Sequence, residues 1–377
     1  MMAPLFSDMV VPALAFGISL TISALLAATR ARHLHRSSRP EDQRAVQAAH
    51  HGARPRIGGI GVVAAILLVL PLFAPEALGG RVAGFVLTLL PVAAAGLAED
   101  LGLRISPRGR LLAAALSGAL ALSVLDVWIW RADLPLIAPL LHIAPLAMLF
   151  TIFATSGICH AFNLIDGMNG LAGVTAILIA LGLASVASIA QEPELALMAF
   201  WVVPAVAGFM VLNFPMGRIF LGDGGAYALG HVLAWLGVLL VARTTEVTPW
   251  AILLIFFWPV ADTCLAIWRR RRAGRAADQP DRLHVHQLVM RVLELKVTGR
   301  GARGLSNPLT TLVLTPFISL PVLSGILLWN NPLAAALSFG LFAAGFVWAY
   351  AACLRFARRG RSVAGTPDAF LPALLPA

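Results

Sequence analysis

Charge is what this chain has least of. Only 12% of its 377 residues are Asp, Glu, Lys or Arg, while 59% are hydrophobic and mean hydropathy is +0.85. So few charges cannot cover a globule in water, which excludes an ordinary soluble protein. Cysteine is also scarce. Cys159, Cys264 and Cys353 lie in apolar stretches without paired ligand spacing, so they read as small buried hydrophobes and not as a thiolate metal site. No basic region precedes the first apolar run, which makes that run a retained helix and not a signal peptide. Aromatic residues are not interleaved among the arginines, which argues against nucleic-acid binding. No His-Glu-x-x-His is present, as an intramembrane zinc hydrolase would want. No internal repeat is evident.

What the chain does have is long apolar runs. A bilayer core of about 30 Å needs about 20 apolar residues per helix. Such runs recur near 9–29, 57–75, 82–98, 111–130, 144–161, 171–190, 195–213, 226–242, 249–268, 309–329 and 332–354. They predict an all-α polytopic membrane protein of about eleven transmembrane helices, forming a single integral-membrane domain over residues 1–377. The edges are least defined at 82–98 and at the start of 144–161, where Pro135, His142 and Pro145 interrupt the pattern.

Orientation follows from the basic residues. Of the 28 Lys and Arg, 25 fall in one alternating set of loops and only Arg81, Arg131 and Arg243 in the other, which instead collects Asp8, Glu76, Asp133, Glu192, Glu194 and Glu246. The positive-inside rule then predicts an external N-terminus and a cytoplasmic C-terminus in the inner (plasma) membrane. It also predicts basic cytoplasmic loops at 30–56 and 269–308 and a cytoplasmic tail at 355–377. The net charge of +10 is mostly this signal, helped by anionic headgroups. The Arg269–Arg272 run reads as a helix-end anchor in preference to a substrate contact.

Four polar motifs interrupt the apolar background: Glu99-Asp100, the stretch from Asn163 through Asp166 to Asn169, Gly222-Asp223-Gly224-Gly225, and Asp281-Arg282 with His284 and His286. All four map to the predicted cytoplasmic face. Polar loop residues without a common purpose would fall on both faces, and ionisable groups at membrane helix ends are costly, so the set predicts an active site. Carboxylates with amides suit Mg²⁺, with Mn²⁺ as the alternative ion, held together with substrate phosphates. The glycines around Asp223 open a helix, where backbone and dipole favour a phosphate.

In this order, Arg54-Pro55-Arg56-Ile57-Gly58-Gly59-Ile60, Gly96 to Asp100, Asn163 to Asn169, Phe220 to Asp223 and Pro280 to His286 resemble the signatures of the polyprenyl-phosphate N-acetylhexosamine-1-phosphate transferases. The resemblance runs from Arg54 to His286 by motif and to the end of the chain by topology. It implies Mg²⁺-dependent transfer of a sugar-1-phosphate from a UDP-N-acetylhexosamine to a polyprenyl phosphate, releasing UMP, to initiate a surface polysaccharide or cell-wall polymer. It is also compatible with a homodimer. By the same resemblance Asp223 is the metal-binding aspartate and Asp166 lines the nucleotide and metal site with Asn163. Asp100, preceded by Glu99, deprotonates or positions the lipid phosphate. Arg282, His284 and His286 hold the diphosphate or sugar, while Gly222 and Arg56 complete the substrate-binding set. Asn163 and Arg282 have an alternative reading as a helix cap or anchor.

Departures from the family pattern are Glu99 where an Asp is usual, Asn169 where a second acid is frequent, and Gln287 where some members carry a further His. They favour the branch that starts O-antigen, teichoic-acid or other surface polysaccharides over the branch that transfers phospho-muramoyl-pentapeptide. Asp262 either pairs with the nearby arginines or joins the site. Asp126 belongs to an outer boundary, and His142, His160 and His231 read as packing histidines. Trp128, Trp130, Trp201, Trp250 and Trp329 form an aromatic belt. Rival functions are a lipid flippase or secondary transporter, whose site belongs at the bilayer midplane, and an inactive scaffold of the transferase fold.

Overall fold

The computed structural model describes residues 3–30, 54–74, 76–133, 138–274, 283–299 and 301–362. Arg282 lies outside the described residues, as do most of the 30–56 loop and the end of the 355–377 tail. The chain forms α1 (Ala3–Ala28), α2 (Gly59–Phe73), α3 (Val82–Leu87), α4 (Leu90–Asp100), α5 (Pro107–Leu125), α6 (Ala144–Ile165), α7 (Leu171–Ile189), α8 (Pro193–Asn213) and α9 (Gly222–Arg243). There follow α10 (Pro249–Ile255), α11 (Phe257–Arg272), α12 (Val285–Lys296), α13 (Arg303–Leu327) and α14 (Pro332–Ser362). It is an all-α polytopic membrane protein.

Each of the eleven apolar runs falls on one of these helices or on a broken pair. Among the described residues nine spans are long and apolar enough to cross a bilayer, counting α3 and α4 as one. A tenth forms if α10 and α11, bent by 82° at Phe256, make a single span. The remaining run is α2, whose 15 residues rise only about 22 Å. Proline sets many of the starts. It occupies the first turn of α4, α5, α6, α8 and α10, where the N–H it lacks has no helical acceptor. Pro259, in the first turn of α11, starts a new helix beyond the bend for the same reason.

At the centre stands α9, buried at every residue from Gly222 to Val241 and flanked by α6, α4, α2 and α7. Backbones approach closely along it because the facing residues lack side chains. A Cβ on Gly224 would stand 2.9 Å from the Leu97 nitrogen, and one on Gly230 would stand 2.7 Å from the Cys159 Cα. Small residues serve this purpose in membrane helices, where no hydrophobic force drives one helix against another.

The two ends of the bundle differ. One carries Arg81, which donates to the Leu125 carbonyl at 2.9 Å, and Arg131, which donates to the carbonyls of Thr244 (3.2 Å) and Val247 (2.5 Å). Arg243 pairs with Glu192 at 3.4 Å at this end. Thr248 donates to Asp133 at 2.6 Å, tying the loop after α5 to the turn between α9 and α10. Asp100, Asp166 and Asp223 gather at the other end. Of the segment read as a basic loop, 269–308, much is helical: α11 runs through Arg272, and α12 lays Val285, Leu288 and Met290 on α13 and α14.

Candidate active site

The first turn of α9 is the organising element. Like any helix start it presents N–H groups without helical acceptors and the positive end of a dipole. Three of these N–H groups meet carboxylates. Gly222 donates to Asp166 Oδ2 at 3.1 Å, Asp223 to Asp100 Oδ1 at 3.0 Å and Gly224 to Asp100 Oδ2 at 2.9 Å. Asp100 ends α4 and Asp166 directly follows α6, so two neighbouring helices deliver their terminal acids to one helix start. Gly222 has φ +76° and its missing side chain leaves room for the Arg56 carbonyl, so another residue there would be both strained and clashing.

Asp223 itself turns away from these amides toward two arginines. Its Oδ1 accepts from Arg56 and its Oδ2 from Arg110, each at 3.1 Å. Arg56 is held by main-chain lacing in which Phe220 donates to the Pro55 carbonyl at 2.9 Å, Gly58 to Phe220 at 2.8 Å and Gly59 to Leu221 at 2.8 Å. Burial, followed by the negative charge of Asp223, pushes the Asp166 carboxyl up to about 7, although Arg56 and the Gly222 N–H oppose the shift. The site is short of positive charge at Asp166.

The histidine motif joins from the other side. His284 caps α12, and its Nδ1 donates to Asp262 Oδ2 on α11 at 2.8 Å, while the Val285 N–H donates to Oδ1 at 3.2 Å. The His286 ring stacks on His284 with centroids 5.5 Å apart, and its Nε2 would be 3.0 Å from a Cβ on Gly167, beside Asp166. Burial pushes the His286 imidazole down to about 4, against the pull of Asp262. Asp262 therefore joins the histidine motif.

Of the sequence-predicted residues, Asp100, Asp166, Asp223, Gly222, Arg56 and His286 come together. Glu99 is placed differently: its Oε2 accepts the Ile105 N–H at 2.8 Å and closes the turn into α5. Asn163 lies half-buried in the last turn of α6, where its carbonyl accepts the Asp166 N–H at 3.3 Å. Asn169 is a structural latch, since its Nδ2 donates to the Pro215 carbonyl at 2.7 Å and its backbone joins Asn307 and Thr311, each at 2.7 Å. Sequence reasoning missed Arg110, which it counted only toward topology. The available signal was a basic residue one turn inside an apolar helix.

An oxygen-seeking divalent ion fits this donor set in one way. Among the described residues no three His, Cys, Asp or Glu side chains are grouped to hold a metal by themselves. Asp166 keeps one oxygen without a partner among the described residues, and Asp223 stands near it with oxygens now facing arginines. Two carboxylates completed by substrate phosphate oxygens are the usual environment of Mg²⁺.

Residues 82–241 match the family model of Glycosyl transferase family 4. The chain is 30% identical over 156 residues to an Escherichia coli protein named undecaprenyl-phosphate alpha-N-acetylglucosaminyl 1-phosphate transferase, covering 40% of this chain and 42% of that one. The Yersinia pestis protein of that name is 28% identical over 254 residues, 64% of this chain and 67% of its own length. The decaprenyl-phosphate N-acetylglucosaminephosphotransferase of Mycobacterium tuberculosis is 28% identical over 173 residues, 39% of this chain and 41% of that one. The chain thus spans less than half the length of the first of these relatives. Asp100, Asp166 and Asp223 all fall inside the region that matches this family model, residues 82–241.

Proposed function

We propose that this protein transfers N-acetylhexosamine-1-phosphate from a UDP-sugar to a polyprenyl phosphate such as undecaprenyl phosphate and releases UMP. The observation that carries the reading is the convergence of Asp100, Asp166 and Asp223 with Arg56 and Arg110 on one helix start at one end of an apolar bundle. A phosphate attacking a diphosphate brings like charges together, and such a cluster can offset that repulsion. The names of the relatives, which give a polyprenyl-phosphate acceptor and N-acetylglucosamine phosphate as the group transferred, support this reading. The site faces the cytoplasm by the charge asymmetry of the loops.

In this reading Arg56 and Arg110 bind the phosphates, and Asp100 holds the α9 amides that orient Asp223. His286, neutral near pH 7, contacts the donor beside Gly167. Asp166 and Asp223 would hold Mg²⁺, which when bound would supply a Lewis acid to the transferring phosphoryl group. The acceptor's chain has its own place. A cavity of about 420 Å³ between α6, α9, α10 and α11, lined by Phe150, Phe153, Ile158, Val238, Leu253 and Phe256, is almost wholly apolar. Ala161, which also lines it, lies about 7.5 Å along α6 from Asp166. A prenyl chain in this groove brings its phosphate toward the carboxylates.

The test is UMP release by purified protein given undecaprenyl phosphate and a panel of UDP-N-acetylhexosamines, with and without EDTA. Chelator-sensitive UMP release with label entering the lipid extract supports the reading. Vesicle uptake or lipid flipping without UMP release would replace it with transport.

A further inference from the structure

The buried cluster on α11 and α12 contains a carboxylate that the transfer reaction, as read so far, does not use. Asp262, His284 and His286 are each at most 2% exposed. The two Asp262 oxygens are divided, Oδ2 receiving His284 Nδ1 at 2.8 Å and Oδ1 receiving the Val285 N–H at 3.2 Å. His286 Nδ1 stands 3.9 Å from that same Oδ2. His284 Nε2 is enclosed and has no hydrogen-bond partner among the described residues.

These contacts fix the chemistry of the imidazole. A carboxylate only accepts, so the His284 ring carries a proton on Nδ1, and in its uncharged form that is the tautomer with a lone pair at Nε2. The Val285 amide fixes the other oxygen, because a backbone N–H cannot reverse its role. The carboxylate thus sets His284's tautomer, the α12 start and, through ring stacking, the plane of His286 beside Gly167.

We infer that Asp262 is a positioning residue of the transferase. It holds His284 in the Nδ1–H tautomer with Nε2 free to accept, and aligns the His284–His286 stack against the Asp166–Gly167 turn. This rests on the proposed transfer reaction.

Asp262→Asn is the informative change, because it keeps the size and supplies one acceptor where two are needed. The asparagine oxygen must take the Val285 N–H, which turns its NH₂ toward Nδ1. That amide donates, so the His284 proton moves to Nε2. The wrong tautomer should lower kcat at least about tenfold while KM for UDP-N-acetylglucosamine and for undecaprenyl phosphate stays within about twofold. Asp262→Glu, which restores two acceptors, should recover part of kcat. In parallel, ¹⁵N-histidine NMR of the full chain in detergent, with the His284 signals assigned by their loss in His284→Gln, reads the proton directly. The expected result is Nδ1–H in the wild type and Nε2–H in Asp262→Asn.

An unchanged kcat in Asp262→Asn, or an unchanged tautomer, overturns the inference. So does a variant that loses folded yield but keeps wild-type turnover per folded molecule, since that is a packing role only. A wild-type chain that releases no UMP overturns the transferase reading instead, and the NMR signal then decides the Asp262–His284 geometry by itself.

Discussion

Replacing Asp223 with asparagine separates chemistry from folding. The side chain keeps its size, and its backbone N–H still donates to Asp100, so the helix start survives. What goes is a charge held between Arg56 and Arg110, each at 3.1 Å. Two unit charges about 4 Å apart attract by roughly 4 kcal/mol at the effective dielectric of a protein surface. That gross figure overstates the loss. The Arg56 side chain is 42% exposed, and such a pair contributes at most about 1 kcal/mol after screening. The Arg110 pair is better enclosed, at 23%, so the folding penalty for both is about 2 kcal/mol. The catalytic loss should be larger. Removing a charge from a phosphoryl-transfer site costs about 4 kcal/mol of transition-state stabilisation, a rate loss on the order of a thousandfold. The assay is UMP release at saturating Mg²⁺ by protein that elutes as a single species in detergent. Turnover within tenfold of wild type, still dependent on Mg²⁺, would refute the assignment of Asp223 and leave Asp166 as the acid to which the ion must bind.

The other expectations are narrower. Gly222→Ala should cost at least about 1 kcal/mol of stability from its positive φ alone and more from the Arg56 carbonyl, seen as early thermal loss of the detergent-purified fold together with lost activity. Asn169→Asp should destabilise by about 1–3 kcal/mol because it sets an acceptor against the Pro215 carbonyl; higher Mg²⁺ affinity with unchanged melting would contradict this. Stability should carry two opposed pH slopes. The His286 pKa falls from 6.5 to about 4 on folding, so its contribution is full above pH 6.5 and about 3 kcal/mol is lost as pH falls to 4. The Asp166 pKa rises from 3.8 to about 7, so its contribution is full below pH 3.8 and is lost as pH rises to 7. Melting curves across this range should therefore steepen in opposite directions for His286→Gln and Asp166→Asn. A reporter fused after Arg359 should read cytoplasmic and one inserted near Glu192 external, and an external C-terminus would overturn the shared cytoplasmic face.

Membrane helices were legible because burial in lipid imposes a length and a composition that survive without any knowledge of contacts. All eleven apolar runs recur as helices or broken pairs. The acids were legible for a related reason: Asp100, Asp166 and Asp223 stand at helix ends where nothing in a bilayer excuses a charge. The 82° break at Phe256 was not, since neither Phe256 nor Phe257 disturbs an apolar pattern and Pro259 can equally sit inside a membrane helix. Partners distant in sequence were also hidden. Arg110 lies 113 residues from Asp223 and was absorbed into the positive-inside count, which weighs an arginine the same whether it faces headgroups or a carboxylate.

Glu99 and Asp100 show where the reading of residue types ends and geometry begins. As adjacent acids they look like a pair that shares one task. On a helix, neighbours point about 100° apart, and here the last turn of α4 sends them to different places. Asp100 faces the close contact between Gly96 and the α9 backbone, and reaches the Asp223 and Gly224 amides. Glu99 faces the turn and closes it onto Ile105. The longer arm of glutamate serves that turn, since the amide it caps lies six residues onward. The substitution that looked like a departure from a paired catalytic motif therefore falls on the member of the pair that braces the α4–α5 turn, while Asp100 is the member that reaches the site and holds the α9 amides.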